Sequence, residues 1–338
     1  MSSRTKTWTR MFCRAGATAL IAVALTPTQL HAQDVNYTPG VLPDHWFSGG
    51  PQCATFQEDF QIHEYNPDFV ILRESGCVHA EKPFLYMLFG RDRVILFDTG
   101  AGSNTDPTTG RVPNVVGIVN LVINQWLARN HRQSIDLVVT HLHSHFDHIW
   151  GDSQFAGRAN TSFVPPGSVP ALQAFFGIRH WPRDIVAFDL GQRVVDIIPI
   201  PGHDETHIAA YDRQTGVLLT GDTLYPGRIY INVPDPDVFA DSVERLVDFT
   251  STRLVTHVLG THIEQRGSYL DYPIGTHFAP DETPLQLGRA HLLELLEATT
   301  FRSREDKHSQ KTIIQKAYRD FTTCGPYPEC NTVNSGPR

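Results

Sequence analysis

Thiols are scarce in this chain. Five cysteines are spread over 338 residues and no two form a CxxC pair, so a thiolate zinc site of the finger or ribbon kind is not expected. No stretch beyond the N-terminal 32 residues approaches the ~20 uninterrupted apolar residues of a spanning helix. Positive charge is in deficit too: 28 Lys and Arg stand against 36 Asp and Glu, for a formal net charge of −8. An acidic surface argues against nucleic acid as a partner. No repeat of fixed period and no low-complexity segment occurs, which excludes solenoids and arrays. What remains, 41% hydrophobic and 19% charged residues, is the composition of a globular chain long enough to bury a large core.

The first 32 residues differ from the rest. Arg4, Lys6, Arg10 and Arg14 have no acid among them, an apolar run follows from Ala15 to Leu25, and LHA precedes Gln33. This is the pattern of a secretory signal peptide cleaved near Ala32, an uncleaved anchor being the alternative. Cleavage predicts a soluble exported protein, periplasmic in a Gram-negative source, and takes the net charge from −8 to −12 by removing those four cations. It also leaves four cysteines, Cys53, Cys77, Cys324 and Cys330, an even number suited to an oxidising compartment. Cys324 and Cys330 flank Gly325, Pro326 and Pro328 and are expected to pair, which leaves Cys53 with Cys77. Free buried thiols are the competing reading.

Along the chain, FLYMLFG (84–90) and RVILFDTG (93–100) predict a hairpin about Arg91 and Asp92, and 114–129 has helical spacing. IDLVVT (135–140) is short and nearly all apolar, as for a strand covered on both faces. Further strands are expected in 193–200, 207–222 and 254–260, with helices over about 237–250 and 284–320. The alternation predicts an α/β domain with helices outside one or two sheets. The division is a leader (1–32), an N-terminal extension (33–80), the main domain (81–280) and a C-terminal helical extension packed on it (281–338).

The chemistry concentrates in VVTHLHSHFDHIWGD, 138–152. His143 and His145, two apart, can point the same way, and Asp147 and His148 can turn to a neighbouring point. Three nitrogen or oxygen ligands with an open position make a catalytic zinc site. Two such sites need more donors, and the sequence has them at three later strand ends: His203 in IPIPGHDETH, Asp222 in LLTGDTL and His262 in VLGTHIE. Loops held by a rigid sheet are where sites are usually built.

The ordered set HxHxDH, GH, GD and GTH, with DTG at 98–100, resembles the metallo-β-lactamase superfamily from about Phe84 to His262. The resemblance implies an αββα sandwich. Residue by residue it implies His143, His145 and His203 as ligands of one metal, Asp147, His148 and His262 of the second, and Asp222 as the bridging carboxylate. His141 falls outside that frame. The implied cofactors are two zinc ions with a bridging hydroxide that attacks an ester, thioester or lactone carbonyl of a small molecule, Asp147 orienting it as well as binding metal. An aspartate at the bridging place favours the glyoxalase II and lactonase groups over true β-lactamases. Amide hydrolysis of the β-lactamase kind and a mononuclear iron sulfur dioxygenase are the alternatives. Tyr225, Arg228 and Tyr230 are candidates to face substrate, with packing roles as the competing reading. Asp98 is expected to support the motif loop, and His207 to be structural. His180 and His277 have no assigned role.

Overall fold

The computed structural model describes residues 37–102, 110–231, 236–268, 270–305, 313–314 and 321–322. The expected leader and the Cys324–Cys330 pair lie outside these residues. Two sheets are built in chain order. The first holds β1 (Phe60–Asn66), β2 (Phe69–Glu74), β3 (Phe84–Phe89), β4 (Arg93–Phe97), β5 (Asp136–Thr140) and β6 (Thr161–Phe163), side by side in that order. Its first four strands are antiparallel, and β4, β5 and β6 run parallel. The second orders β11 (His257–Gly260), β10 (Val217–Gly221), β9 (Ile208–Asp212), β8 (Val194–Pro199) and β7 (Val186–Asp189), with only β10 and β11 parallel.

The near-continuous apolar runs follow from burial on both faces. Phe69, Ile71, Tyr86, Ile95 and Val138 of the first sheet meet Ile197, Ala210, Leu219 and Leu259 of the second in one core. Alternate residues of the first sheet, Leu72, Met87, Leu96 and Val139, face outward onto Val119, Val122 and Trp126 of α1 (Val115–Arg129). Those of the second, Ile198, Ala209 and Leu218, meet α4 (Pro236–Thr250) and α5 (Arg289–Glu305). Between them in the chain come α2 (Phe146–Ile149), continued by a 3-10 turn to Phe155, and α3 (Val169–Phe176). The layers are therefore helix, sheet, sheet, helix, the αββα sandwich that the resemblance implies. Among the described residues no helix is long and apolar enough to cross a membrane.

Two boundaries differ from the sequence reading. β1 and β2, inside the expected N-terminal extension, are the first strands of the first sheet. Their role was hidden because β1 carries polar and charged residues on its edge, while β2 gains its partner β3 only across the loop 75–83. The C-terminal helix starts at Arg289, not near 284. Pro284 and Gly288 disfavour helix there, and Leu287 instead exchanges backbone bonds of 2.8 and 2.9 Å with Val258. Farther on, Ile313–Ile314 pairs with Phe321–Thr322 as a two-residue ladder, β12 with β13.

Cys53 and Cys77 form a disulfide across 24 residues, tying the lead-in to the loop between β2 and β3. Closing a loop of this length in the unfolded chain removes entropy worth roughly 3 kcal/mol. Replacing both cysteines by alanine should lower the urea-unfolding free energy by about that amount; an unchanged midpoint in the double variant would show the bond to be stability-neutral.

Candidate metal centre

Each sequence-nominated donor leaves a strand at the same edge of the sandwich. Thr140 ends β5 and the motif follows it. Asp222 follows β10, His262 lies two residues past β11, and His203 is in the loop after β8. Two glycines next to them are dictated by packing. Gly221 has φ +53°, and a Cβ there would stand 2.3 Å from Nε2 of His207. At Gly202, φ +150°, it would meet the backbone of Phe239 at 2.7 Å. Only glycine tolerates both demands.

The seven side chains converge as two groups, His143 with His145 and His203, and Asp147 with His148, Asp222 and His262, the donor atoms of each lying within 4.8 Å of one another. Nδ1 of His145 is 3.0 Å from Nε2 of His143 and 2.9 Å from Nε2 of His203. Nitrogens bound tetrahedrally at 2.0–2.1 Å from one zinc would be about 3.3 Å apart, so the spacing fits a common metal. Asp222 spans the groups. Its Oδ2 lies 3.8 and 3.5 Å from Nε2 of His143 and His203, and its Oδ1 3.5 and 3.4 Å from Nε2 of His148 and His262. Asp147 Oδ2 is 3.2 Å from Nε2 of His262 and 3.6 Å from that of His148.

The outer nitrogens of three imidazoles are held by acceptors. His148 Nδ1 is 2.9 Å from Asp98 Oδ2, His203 Nδ1 2.9 Å from the Tyr230 carbonyl, and His262 Nδ1 2.9 Å from the Glu81 carbonyl. A neutral ring that donates at Nδ1 turns its Nε2 lone pair inward, the tautomer a metal requires. Nε2 of His148 and Oδ1 of Asp222 are buried with no hydrogen-bond partner, which buried polar atoms rarely tolerate unless another ligand completes them. The donor set, its spacing and these orphaned atoms fit two divalent metals.

Charge in the metal-free centre is divided. Burial pushes His143 well below the usual imidazole range and His203 below it, favouring neutral rings. Burial would also lower His148 and His262. In His148 the charges of Asp98, Asp147 and Asp222 outweigh it, and in His262 those of Asp222 and Asp147, so both are raised well above that range. Burial pushes Asp147 up, but His148 and His262 hold it down to about 2. Likewise His262, His148 and His143 overcome the burial of Asp222 and keep it well below the carboxylate range. Buried carboxylates of this number call for positive charge, and metal ions supply it more compactly than protons.

Asp98 is the main support. Its φ of +69° turns the carboxylate beneath the motif, where Oδ1 accepts the Leu142 N–H at 2.7 Å while Oδ2 takes His148. His141, outside the metal frame, pairs at 2.8 Å with Asp152, which also accepts the Thr99 hydroxyl at 2.7 Å. His207 is buried between the rings of His143 and His203, at 4.8 and 5.7 Å, with Thr223 Oγ1 3.2 Å from its Nδ1. His180 lies against Asp184 on the surface, and His277 bonds the Gly76 carbonyl.

The three substrate candidates have other duties. Tyr225 is buried, its hydroxyl donated to the Arg228 carbonyl and its ring edge against His262. Arg228 is held by Glu264 at 2.8 Å and the Tyr272 carbonyl at 3.0 Å. Tyr230 is half-buried and supports His203 through its carbonyl. Packing and ion pairing claim the first two because an arginine this enclosed must be neutralised locally. Sequence reading missed Glu81, which reaches His262 from 181 positions away. Burial and then the Asp147 charge raise its own carboxyl to about 7. A backbone acceptor carries no residue-type signal, so nothing in the sequence marked it.

Two outcomes follow from this geometry. Asp98→Asn keeps a residue that tolerates the left-handed turn but removes the charge facing His148, and metal titration should show affinity at the second group falling roughly 10- to 100-fold; unchanged affinity would remove Asp98 from the support. Burial and the neighbouring His203 press His207 down to about 3 from its ordinary 6.5. The unfolded metal-free chain then binds more protons between these values, so stability is lost as pH falls. Going from pH 7 to pH 5 should cost the metal-free chain on the order of 2 kcal/mol through this residue. In His207→Gln that part of the slope should vanish, as read by urea unfolding at the two pH values.

Comparison with known proteins gives the family of the chain. Residues 83–262, more than half of the chain, match the model of the metallo-β-lactamase superfamily. A hydroxyacylglutathione hydrolase of Cyanothece sp. is 31% identical over 100 residues, covering 27% of this chain and 37% of that protein. An acyl-coenzyme A thioesterase, MBLAC2 of Gallus gallus, is 30% identical over 94 residues, covering 26% and 33%. The chain thus spans only about a third of the length of these curated relatives. Among solved structures, a metallo-β-lactamase from Pontibacter korlensis aligns with a TM-score of 0.44 at 15% identity, covering 71% of this chain and 99% of that one. On the strength of the family match, the chain belongs to the metallo-β-lactamase superfamily.

Proposed function

We propose that this protein is an exported hydrolase that holds two zinc ions and cleaves a small acyl thioester, with esters and lactones as related substrates. The observation that carries the reading is Asp222, with one oxygen toward each imidazole group. Thioesters come first because the overlapping relatives are named as an acyl-coenzyme A thioesterase and a hydroxyacylglutathione hydrolase. Export is supported by the leader-like N-terminus and by the Cys53–Cys77 disulfide, a bond of oxidising compartments.

Two zinc ions, when bound at such a centre, supply Lewis acidity for the carbonyl and lower the pKa of water from 15.7 to about 7. His143, His145 and His203 would hold one ion, Asp147, His148 and His262 the other, and Asp222 both. A centre of this kind needs no side-chain nucleophile, because metal-bound water is acidic enough to attack at neutral pH; Ser144, within the motif, donates its hydroxyl to Asp204 at 2.9 Å. Water is therefore the attacking species. Asp147, ionised at neutral pH, is the group placed to accept a hydrogen bond from it and orient it toward the carbonyl carbon. As the carbon–sulfur bond breaks, the thiolate leaves and takes its proton from solvent. His145, its side chain 36% exposed, lies on the open side of the centre, where substrate enters.

Metal analysis of the purified protein should give about two zinc ions per chain, with activity lost to chelator and restored by zinc. Chromogenic thioesters, esters, lactones and a cephalosporin, run in parallel, should show thioesters turned over fastest. In metal-loaded Asp147→Ala, kcat should fall by roughly 100-fold or more. Near wild-type turnover in that variant would sink the scheme, and one iron with oxygen uptake would replace it by a sulfur dioxygenase reading.

A further inference from the structure

The edge of the sandwich opposite the centre carries a cavity of about 520 Å³, within the size range of small-molecule sites. It is built where strands begin: by the β3–β4 turn, the end of α1 before β5, the β7–β8 turn and the β9–β10 turn. The candidate metal donors follow the far ends of β5 and β10. Five residues of strand, about 16 Å, separate the two sites.

Its chemistry is cationic in a chain whose net charge is −8. Three guanidinium groups line it, those of Arg91, Arg132 and Arg193. Arg193 is buried and neutralised by two bonds to Asp212, at 2.7 and 3.0 Å, so it forms a wall. Arg91 and Arg132 differ. Arg132 donates to the Arg91 carbonyl and lies 5.7 Å from the Trp126 ring centroid, and among the described residues neither guanidinium has a carboxylate partner. The one acid of the lining, Asp68, already accepts the Trp126 indole N–H at 2.7 Å. Side-chain amides of Asn130, Gln192 and Gln214 complete the polar surface.

The backbone gives a second, separate sign. Five non-glycine residues are described with positive φ; one, Asp98, supports the metal centre, and two others flank this cavity, Gln192 at +60° and His131 at +53°, between Asn130 and Arg132. Outside glycine and asparagine such conformations are uncommon and cluster where a ligand or a mechanism uses them. Here they lie in two turns beside arginines that have no carboxylate partner among the described residues.

We propose that this cavity binds a small organic anion bearing carboxylate or phosphate oxygens, gripped between Arg91 and Arg132. Guanidinium forks match both oxyanions, and the amides can donate to the oxygens that remain. The site is independent of the hydrolytic reading.

Isothermal titration of the metal-loaded full chain with inorganic phosphate, and separately with citrate, tests it. At least one anion should bind, and Arg91→Gln and Arg132→Gln should each weaken that binding roughly tenfold while leaving thioester turnover unchanged. The tighter of the two anions identifies the head group of the ligand. Because the variants share an intact metal centre, any anion held by the metals is common to all three proteins. Binding of equal strength in wild type and both variants would overturn the proposal, as would no binding of either anion at millimolar concentration. Arg91→Gln alters an exposed side chain and keeps the test valid even if Arg132→Gln is unstable.

Discussion

Asp222 must stay ionised while buried among imidazoles, and most of the centre is arranged around that demand. A carboxylate taken out of water is costly unless positive charge and hydrogen bonds surround it. Its two oxygens face Nε2 atoms of four histidines that leave the sandwich on three different segments. Those segments can meet because parallel β4–β5 and β10–β11 pairs aim their ends at one edge of two packed sheets. The core between the sheets is thus the rigid frame for the charge arrangement, and the metal-binding reading depends on it.

Around the donors runs a set of fixed acceptors. Asp98 and the carbonyls of Tyr230 and Glu81 take the outer N–H of His148, His203 and His262. Rings held in this way present lone pairs inward at no further orientational cost, which is the meaning of preorganisation at a metal site. The Glu81 loop is itself tied down by the Cys53–Cys77 disulfide and by Lys82, which donates to the carbonyls of Ala80 and Thr276 at 2.8 and 2.6 Å. A covalent tie close to the centre limits how far this loop can move.

Legibility in the sequence varied with the kind of signal. The seven candidate donors were legible because they follow apolar strands, several behind a glycine, and because the ordered set HxHxDH, GH, GD and GTH resembles the superfamily. The outer helices and most strands were legible from hydrophobic period. β1 and β2 were not recognised as part of the domain, since polar residues on an edge strand mask its period. Tyr225 and Arg228 stayed open between substrate and packing roles because residue type alone cannot reveal that Glu264 and Tyr272 will occupy the guanidinium.

By itself the sequence determined the identity and order of the donors, the strands that carry them and the glycines that let those strands turn. These are local properties, written in residue type and short spacing. The family resemblance implied which donors share a point and that Asp222 lies between both groups; only the tertiary structure decided that carbonyls of Glu81 and Tyr230 hold the outer nitrogens of His262 and His203. Those relations depend on packing segments up to 181 residues apart. A backbone carbonyl is the same in every residue, so its role is fixed by where the fold places it.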